Sequence, residues 1–222
     1  MQTNPTRERC REPDEVKKQY DMLAKEYGDA FAGEHEKKPM DREVLRRFSR
    51  EIGNGRPVWD LGCGPGQTAK YLKGLGVAIS GMDLSEKMLD EAVTRCPGIP
   101  FRKGNLLDLE FENDSVAGVV SFYAIIHFTK EQVETAFREV FRVLRPGGLF
   151  LLAFHVGERT IRVETFLGKK TDLHVTFFTT DFVARCLEKT GFAGMEVIER
   201  EPYPGVEYPS RRAYVYASKP LP

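Results

Sequence analysis

The stretch that decides the fold is Val58-Trp59-Asp60-Leu61-Gly62-Cys63-Gly64-Pro65-Gly66-Gln67-Thr68. The apolar residues before Asp60 predict a short buried strand, and three glycines at alternate positions predict a tight turn into a helix. Glycine adopts backbone angles that other residues avoid, and it lets a ligand touch the backbone directly. A strand followed by a glycine turn and a helix N-terminus is typical of a nucleotide-binding site.

Outward from this turn, strand-like apolar runs alternate with helix-like stretches, which is typical of a parallel sheet covered by helices. Predicted strands cover residues 57–61, 77–82, 99–102, 116–122, 149–156, 195–200 and 212–217. Predicted helices cover residues 14–27, 41–52, 67–73, 86–95, 129–145 and 180–190. Prolines between the last two strands predict an antiparallel pair at one edge. Residues 157–178 have no clear pattern, and residues 1–12 are expected to be mobile.

Composition argues against several classes of protein. The 222 residues carry 33 Lys+Arg and 33 Asp+Glu, so the basic excess of a nucleic-acid binder is missing. No apolar run reaches the length of a membrane span, and the polar start has no secretory signal. The four cysteines lack paired or metal-ligand spacing, which predicts reduced thiols. We therefore expect a cytoplasmic protein with no metal, no nucleic-acid partner and no membrane contact.

Four further motifs follow the glycine turn in order. Asp83 ends the second strand, and Gly104-Asn105-Leu106-Leu107-Asp108-Leu109 follows the third. Leu144-Arg145-Pro146-Gly147-Gly148-Leu149 precedes the fifth strand, and Glu188-Lys189-Thr190-Gly191-Phe192 closes the last helix. Over residues 14–218 the chain resembles the class I S-adenosylmethionine-dependent methyltransferases, of the type that acts on small molecules. The resemblance implies a Rossmann-like, seven-stranded, mostly parallel sheet with an antiparallel last strand, helices on both faces and a short helical N-terminal cap.

The resemblance implies S-adenosylmethionine as cofactor and S-adenosylhomocysteine as product. Asp60 would meet the methionine ammonium, Asp83 the ribose hydroxyls, and Asn105 the adenine amine, where relatives often carry Asp. Alternative roles are a turn cap for Asp60 and plain packing for Met88 and the two tyrosines. The predicted cofactor-binding residues are Tyr20, Tyr27, Asp60, Gly62, Cys63, Gly64, Asp83, Leu84, Met88, Asn105, Leu106 and Phe122.

The acceptor side is predicted beyond the fourth and fifth strands. His127 is the candidate general base, with Tyr123 beside it, because imidazole titrates near neutral pH. The alternative role of His127 is to support its loop. The candidate substrate contacts are His155, Arg162 and Arg211. Either Arg211 or Arg212, at the start of the last strand, would clamp a substrate carboxylate by a bidentate bond.

Together these observations predict a methyltransferase that acts on an unidentified small-molecule acceptor by direct displacement. A non-catalytic S-adenosylmethionine-binding module, a nicotinamide-dependent oxidoreductase, and a protein or RNA methyltransferase stay open as alternatives. The expected organisation is a helical cap over residues 1–52 and a methyltransferase core over residues 53–222. Residues 157–178 form a candidate substrate lid, and the protein is expected to be a monomer or a homodimer.

Overall fold

The computed structural model describes residues 12–222, so Cys10 and the expected mobility of residues 1–12 fall outside it, apart from residue 12. Its helices are α1 Pro13–Phe31, α2 Pro39–Ile52, α3 Gln67–Gly74, α4 Glu86–Arg95, α5 Lys130–Val143 and α6 Thr180–Thr190. Its strands are β1 Val58–Leu61, β2 Ile79–Asp83, β3 Phe101–Lys103, β4 Val116–Phe122, β5 Leu144–His155, β6 Thr160–Phe166, β7 Lys169–Thr176, β8 Ala193–Arg200 and β9 Arg212–Ser218. Short 3-10 helices lie at Glu34–Lys37 and Ile125–His127.

Seven strands form one sheet in the order β3-β2-β1-β4-β5-β9-β8. Strands β1 to β5 pair in parallel, and β9 is antiparallel to both of its neighbours. The predicted seven-stranded α/β fold is therefore confirmed, including the antiparallel pair at one edge. The strand order reverses direction between β1 and β4, which is where open α/β sheets bind ligands.

Two apolar clusters hold helices against the two faces of the sheet. The cluster around Phe137 and Phe150 includes residues of α5 and α6, and the cluster around Phe48 and Leu72 includes residues of α2 and α3. Six of the seven residues of β4 are buried, as its unbroken apolar sequence predicts for a central strand.

The first helix continues beyond the glycine at which it was predicted to stop. Gly28 lies inside α1, and a Cβ at this position would meet the Arg95 guanidinium at 2.5 Å. The absence of a side chain at Gly28 therefore allows α1 and α4 to pack closely. An ion pair between Arg95 and Asp29, at 2.7 Å, joins the two helices at the same point.

Residues 157–178, which have no clear pattern in the sequence, contain a two-stranded antiparallel hairpin, β6–β7, outside the main sheet. Leu167 and Gly168 form its turn, both with positive φ, as a two-residue hairpin turn of type I′ requires. The hairpin contacts α1, where Lys169 Nζ donates to the Met22 carbonyl at 2.6 Å and Gln19 accepts from the Asp172 amide at 3.0 Å.

Within residues 12–222, no helix is long and apolar enough to cross a membrane. Over the same range, no group of three or more His, Cys, Asp or Glu side chains could hold a metal ion.

Candidate functional site

Two adjoining cavities open at the edge where the parallel strands end, beneath α1 and the hairpin. The small cavity, about 150 Å³, is lined by residues from α1, the glycine turn, the end of β2, the loop after β3 and the segment after β4. The large cavity, about 740 Å³, lies between the glycine turn, the hairpin and the start of β9. Six residues line both cavities: Tyr20, Tyr27, Gly62, Phe122, Tyr123 and Ile126.

Most of the residues predicted to bind the cofactor line the small cavity. These are Tyr20, Tyr27, Gly62, Gly64, Asp83, Leu84, Met88, Asn105, Leu106 and Phe122. The other two, Asp60 and Cys63, line the large cavity instead. His127 lines the small cavity, His155 the large one, and Tyr123 both.

The glycine turn exposes bare backbone to the cavities. Gly62 has a φ of +75°, and a Cβ there would lie 2.5 Å from the Ala124 Cβ. Gly64 has a φ of +52°, and the nearest atom to its Cβ position is on the Tyr27 ring at 4.0 Å. A side chain at either position would strain the backbone. A side chain at Gly64 would also project towards Tyr27, and both Gly64 and Tyr27 line the small cavity. The turn therefore fits a ligand that touches the main chain.

Asp83 is held at the end of β2 by two backbone amides. Gly64 N–H donates to Oδ2 at 2.8 Å, and Ser85 N–H donates to Oδ1 at 2.9 Å. Burial raises the pKa of this carboxyl, while the two amides oppose that rise. Ser85 itself caps α4 by accepting from Met88 N–H, so Asp83 is not needed as the cap. Each carboxylate oxygen keeps a further lone pair, which suits the two hydroxyls of a ribose.

Asp60 offers an unsatisfied acceptor in the large cavity. The side chain is buried, and its Oδ2 has no hydrogen-bond partner among the residues described. Gln67 Oε1, which belongs to the first turn of α3, is a second buried acceptor without a partner in residues 12–222. Burial, with a further contribution from the charge of Asp83, raises the pKa of Asp60 to about 8. A bound ammonium group would satisfy these oxygens and ionise the carboxyl.

Asn105 is partly engaged within its own loop. Its amide oxygen accepts from Leu107 N–H at 3.0 Å, so one lone pair of that oxygen is already used. The second lone pair and the amide NH₂ group stay available for an adenine edge.

Tyr20 and His127 form a hydrogen-bonded pair where the cavities meet. The Tyr20 hydroxyl lies 2.6 Å from His127 Nε2, and His127 Nδ1 lies 3.0 Å from the His174 carbonyl oxygen. Because a carbonyl only accepts, Nδ1 carries the proton of the neutral ring and Nε2 accepts from Tyr20. Burial and the charge of Asp83 raise the pKa of Tyr20 well above its usual value, so its hydroxyl stays protonated. The Tyr27 ring packs edge-on against the Tyr20 ring, with 5.9 Å between the ring centroids.

Tyr123 has a strained backbone, with a φ of +60° directly after β4. Its hydroxyl is buried with no hydrogen-bond partner in the described part of the chain, and burial raises its pKa. Strain of this kind is typical of functional sites because the surroundings must hold the residue in place.

Arg162 and Arg211, predicted to contact substrate, line neither cavity. Arg162 pairs with Asp172 at 2.6 Å on the exposed face of the hairpin. Arg211 is half exposed and pairs with Glu199. Its neighbour Arg212 is buried and lines the large cavity.

Several residues of the large cavity have no motif in the sequence. The members that close it from the hairpin and from the loop before β9 are Ile161, Val163, Phe166, Leu173, Val175, Phe177, Glu207 and Tyr208. In the hairpin, the apolar members at every second position are the only signal that could have identified them.

Comparisons with known proteins agree with this geometry. Residues 58–148 match the family model described as a methyltransferase domain. A probable S-adenosylmethionine-dependent methyltransferase of Mycolicibacterium smegmatis is 36% identical over 155 residues, which is 69% of this chain and 57% of that protein. The chain spans about half the length of the curated relatives it matches.

Solved structures share the fold. An S-adenosylmethionine-dependent methyltransferase from Mesorhizobium loti superposes with a TM-score of 0.62 at 25% identity, covering 79% of this chain and 96% of that one. Phosphoethanolamine N-methyltransferase 2 from Haemonchus contortus has a TM-score of 0.69 at 19% identity, covering 90% of this chain and 58% of that one. Its structure holds phosphomonomethylethanolamine and S-adenosylhomocysteine. With its strand order, its glycine turn and these matches, the chain belongs to the class I S-adenosylmethionine-dependent methyltransferase family.

Proposed function

We propose that this chain transfers the methyl group of S-adenosylmethionine to a small-molecule acceptor. The observation that carries the proposal is the meeting of two cavities at Tyr20, whose hydroxyl contacts His127 Nε2. The small cavity has the groups for adenosine, and the adjoining end of the large cavity has the acceptors for an ammonium. The remainder of the large cavity provides room for an acceptor molecule.

When bound, the cofactor supplies an electrophilic methyl group on a sulfonium. The chain's own residues align the acceptor with that methyl group, exclude water and move one proton. With the cofactor held by the glycine turn, Asp60 and Asp83, the acceptor would give its proton to the Tyr20 oxygen during the transfer. Tyr20 passes its own proton to His127 Nε2, and the His174 carbonyl stabilises the resulting imidazolium through Nδ1.

Tyr20 is therefore proposed as the group that meets the acceptor, with His127 as the base behind it. Two features support this order: Tyr20 lines both cavities, and His127 lines only the small one. The order differs from the sequence prediction, in which His127 itself meets the acceptor.

The geometry favours catalysis over the alternative of a non-catalytic binding module. A module that only binds S-adenosylmethionine would need the part of the large cavity at Asp60 and Gln67, but not the remainder of its roughly 740 Å³. The glycine turn disfavours a nicotinamide cofactor, because Gln67 occupies the third glycine position of the dinucleotide motif.

The test is a screen of phenols, amines and carboxylic acids with labelled S-adenosylmethionine, scored by formation of S-adenosylhomocysteine and of methylated product. Transfer to at least one small acceptor, slowed about 100-fold in Tyr20→Phe, supports the proposal. Binding of S-adenosylmethionine without transfer to any acceptor in a broad panel would favour the binding module instead.

A further inference from the structure

One wall of the large cavity is built from residues of β5, the loop before β9, and β9 itself. His155 and Arg212 face each other directly across β5 and β9 in the sheet register. Directly paired residues of neighbouring strands project to the same face, and both side chains line the large cavity. Tyr123 joins them, with its ring centroid 5.2 Å from that of His155.

The Arg212 guanidinium is fixed by its neighbours but not saturated. It is 3% exposed, its Nη1 donates to the Ser210 carbonyl and to Ser210 Oγ, and its Nε lies 3.2 Å from Glu207. Despite this proximity, Nε makes no hydrogen bond within residues 12–222. No hydrogen bond joins Nη2 to a residue of that range either. This nitrogen carries two free N–H groups.

The ring of His155 is oriented by the same serine. Arg212 can only donate to Ser210 Oγ, so the arrangement that satisfies all three groups has the hydroxyl donating to His155 Nδ1, at 2.8 Å. Nε2 then carries the ring proton and has no partner among the described residues. Burial, together with the charge of Arg212, lowers the pKa of His155 to about 3, so the ring stays neutral and keeps this tautomer.

The carboxylate on this wall is not available to a ligand. Glu207 accepts from Arg200, from Tyr203 N–H at 2.8 Å, and faces Arg212, so its oxygens are already surrounded by donors. What stays free is the buried Tyr123 hydroxyl, together with Arg212 Nη2 and His155 Nε2–H, all of them able to donate.

Resting on the proposed function, we infer that the acceptor is an organic oxyanion whose anionic group sits among Arg212, His155 and Tyr123, here called the donor corner. Three donors that line the same cavity suit a carboxylate or a phosphate monoester, and a cationic amine would find no acceptor there. The part of the cavity lined by Asp60 and Gln67 offers acceptors and suits the cofactor's ammonium.

The remaining lining indicates the body of the acceptor. The inward side chains of the hairpin and its flank are mostly apolar or aromatic, namely Ile161, Val163, Phe166, Leu173, Val175 and Phe177. An acid with an aromatic or branched apolar body would fill this space, with its nucleophilic atom towards Tyr20.

The test uses three probes of similar shape: 4-hydroxyphenylacetate, its neutral amide 4-hydroxyphenylacetamide, and phenyl phosphate. Binding is measured by calorimetry with and without saturating S-adenosylhomocysteine. We expect the acid or the phosphate to bind at least about tenfold more tightly than the amide, because hydrogen bonds to an ion are the stronger ones. The preference between acid and phosphate identifies which oxyanion the corner takes.

Three variants locate the binding. Arg212→Gln removes the charge, and Tyr123→Phe removes a hydroxyl that has no partner and so leaves folding intact. Each should weaken binding of the preferred anion about tenfold to hundredfold while S-adenosylhomocysteine binds as before. Arg211→Gln is the matched control, because it removes the same charge one residue away, on the exposed surface, and should leave anion binding unchanged.

Several outcomes overturn the inference. Equal binding of acid and amide does so, as does failure of both anions to bind a protein that binds S-adenosylhomocysteine. Wild-type anion affinity in Tyr123→Phe and in a folded Arg212→Gln does so as well. A wild-type protein that binds the anion but does not bind S-adenosylhomocysteine would overturn the proposed function, while the anion site at the donor corner would still stand.

Discussion

We predict that Asp60 couples cofactor binding to the loss of a proton. Its carboxyl is buried, its Oδ2 has no partner within residues 12–222, and its pKa is raised from 3.8 to about 8. At pH 7 the unliganded protein therefore carries mostly neutral Asp60. The ammonium of the cofactor favours the carboxylate, so binding must release that proton.

The expected magnitude follows from that pKa. As the pH rises towards 8, the dissociation constant for S-adenosylhomocysteine should fall by about tenfold per pH unit. The total decrease between pH 6 and pH 8 is about 50-fold, because the slope flattens near the pKa. At pH 7 about 0.9 proton should be released per molecule bound. Asp60→Asn cannot ionise, so its binding should be weaker at pH 8 and nearly independent of pH.

Calorimetry in buffers of different ionisation enthalpy measures both quantities. Phosphate and Tris at pH 7 give the number of protons released, and titrations at pH 6, 7 and 8 give the dissociation constants. A wild-type protein that binds with a constant affinity over this range and releases no proton would refute the role of Asp60. An Asp60→Asn variant with an unchanged pH dependence would refute it equally, because the proton would then come from another group.

The remaining predictions concern stability, cofactor affinity and rate. Folding raises the pKa of Asp60, so the contribution of its neutral form to stability is full below pH 3.8 and is lost as the pH rises through about 8. Urea denaturation should therefore show that the free energy of unfolding of unliganded Asp60→Asn depends less on pH over this range than that of the wild type. In the same assay, Gly62→Ala should lower the free energy of unfolding by about 2–4 kcal/mol, because the new Cβ strains a left-handed backbone and lies too close to the Ala124 Cβ. Wild-type stability would contradict the role of this glycine. Asp83→Asn should weaken S-adenosylhomocysteine binding about tenfold to hundredfold by calorimetry, and an unchanged affinity would exclude a ribose contact. Tyr20→Phe should lower kcat about 100-fold on any acceptor found, with S-adenosylhomocysteine affinity kept, and a wild-type pH–rate profile would exclude the proton relay.

The sheet and the glycine turn could be predicted because their signals are local. The unbroken apolar run of β4 and the glycines at 62, 64 and 66 each determine their own conformation, and the order of strands follows from the family pattern. The stop predicted at Gly28 was wrong, because the reason for that glycine is the approach of Arg95 from another helix.

The hairpin could not be read from the sequence because its turn uses Leu167 where hairpin turns prefer Asn, Asp or Gly. The choice between Arg211 and Arg212 depended on the register of β9 against β5, since neighbouring residues of a strand point to opposite faces. The contact between Tyr20 and His127 joins residues 107 positions apart and depends on how α1 lies over the sheet edge. Sequence patterns therefore identified many residues of the small cavity, and tertiary packing decided which side chains close the large cavity.

The central claim is that the glycine turn and Asp83 bind S-adenosylmethionine and not a dinucleotide. Parallel calorimetric titrations of the wild-type protein with S-adenosylmethionine, S-adenosylhomocysteine and NAD test it most directly. The structure predicts micromolar binding of the two sulfur compounds and no measurable binding of NAD. Binding of NAD alone would contradict the claim, and the nicotinamide-dependent oxidoreductase would replace the methyltransferase.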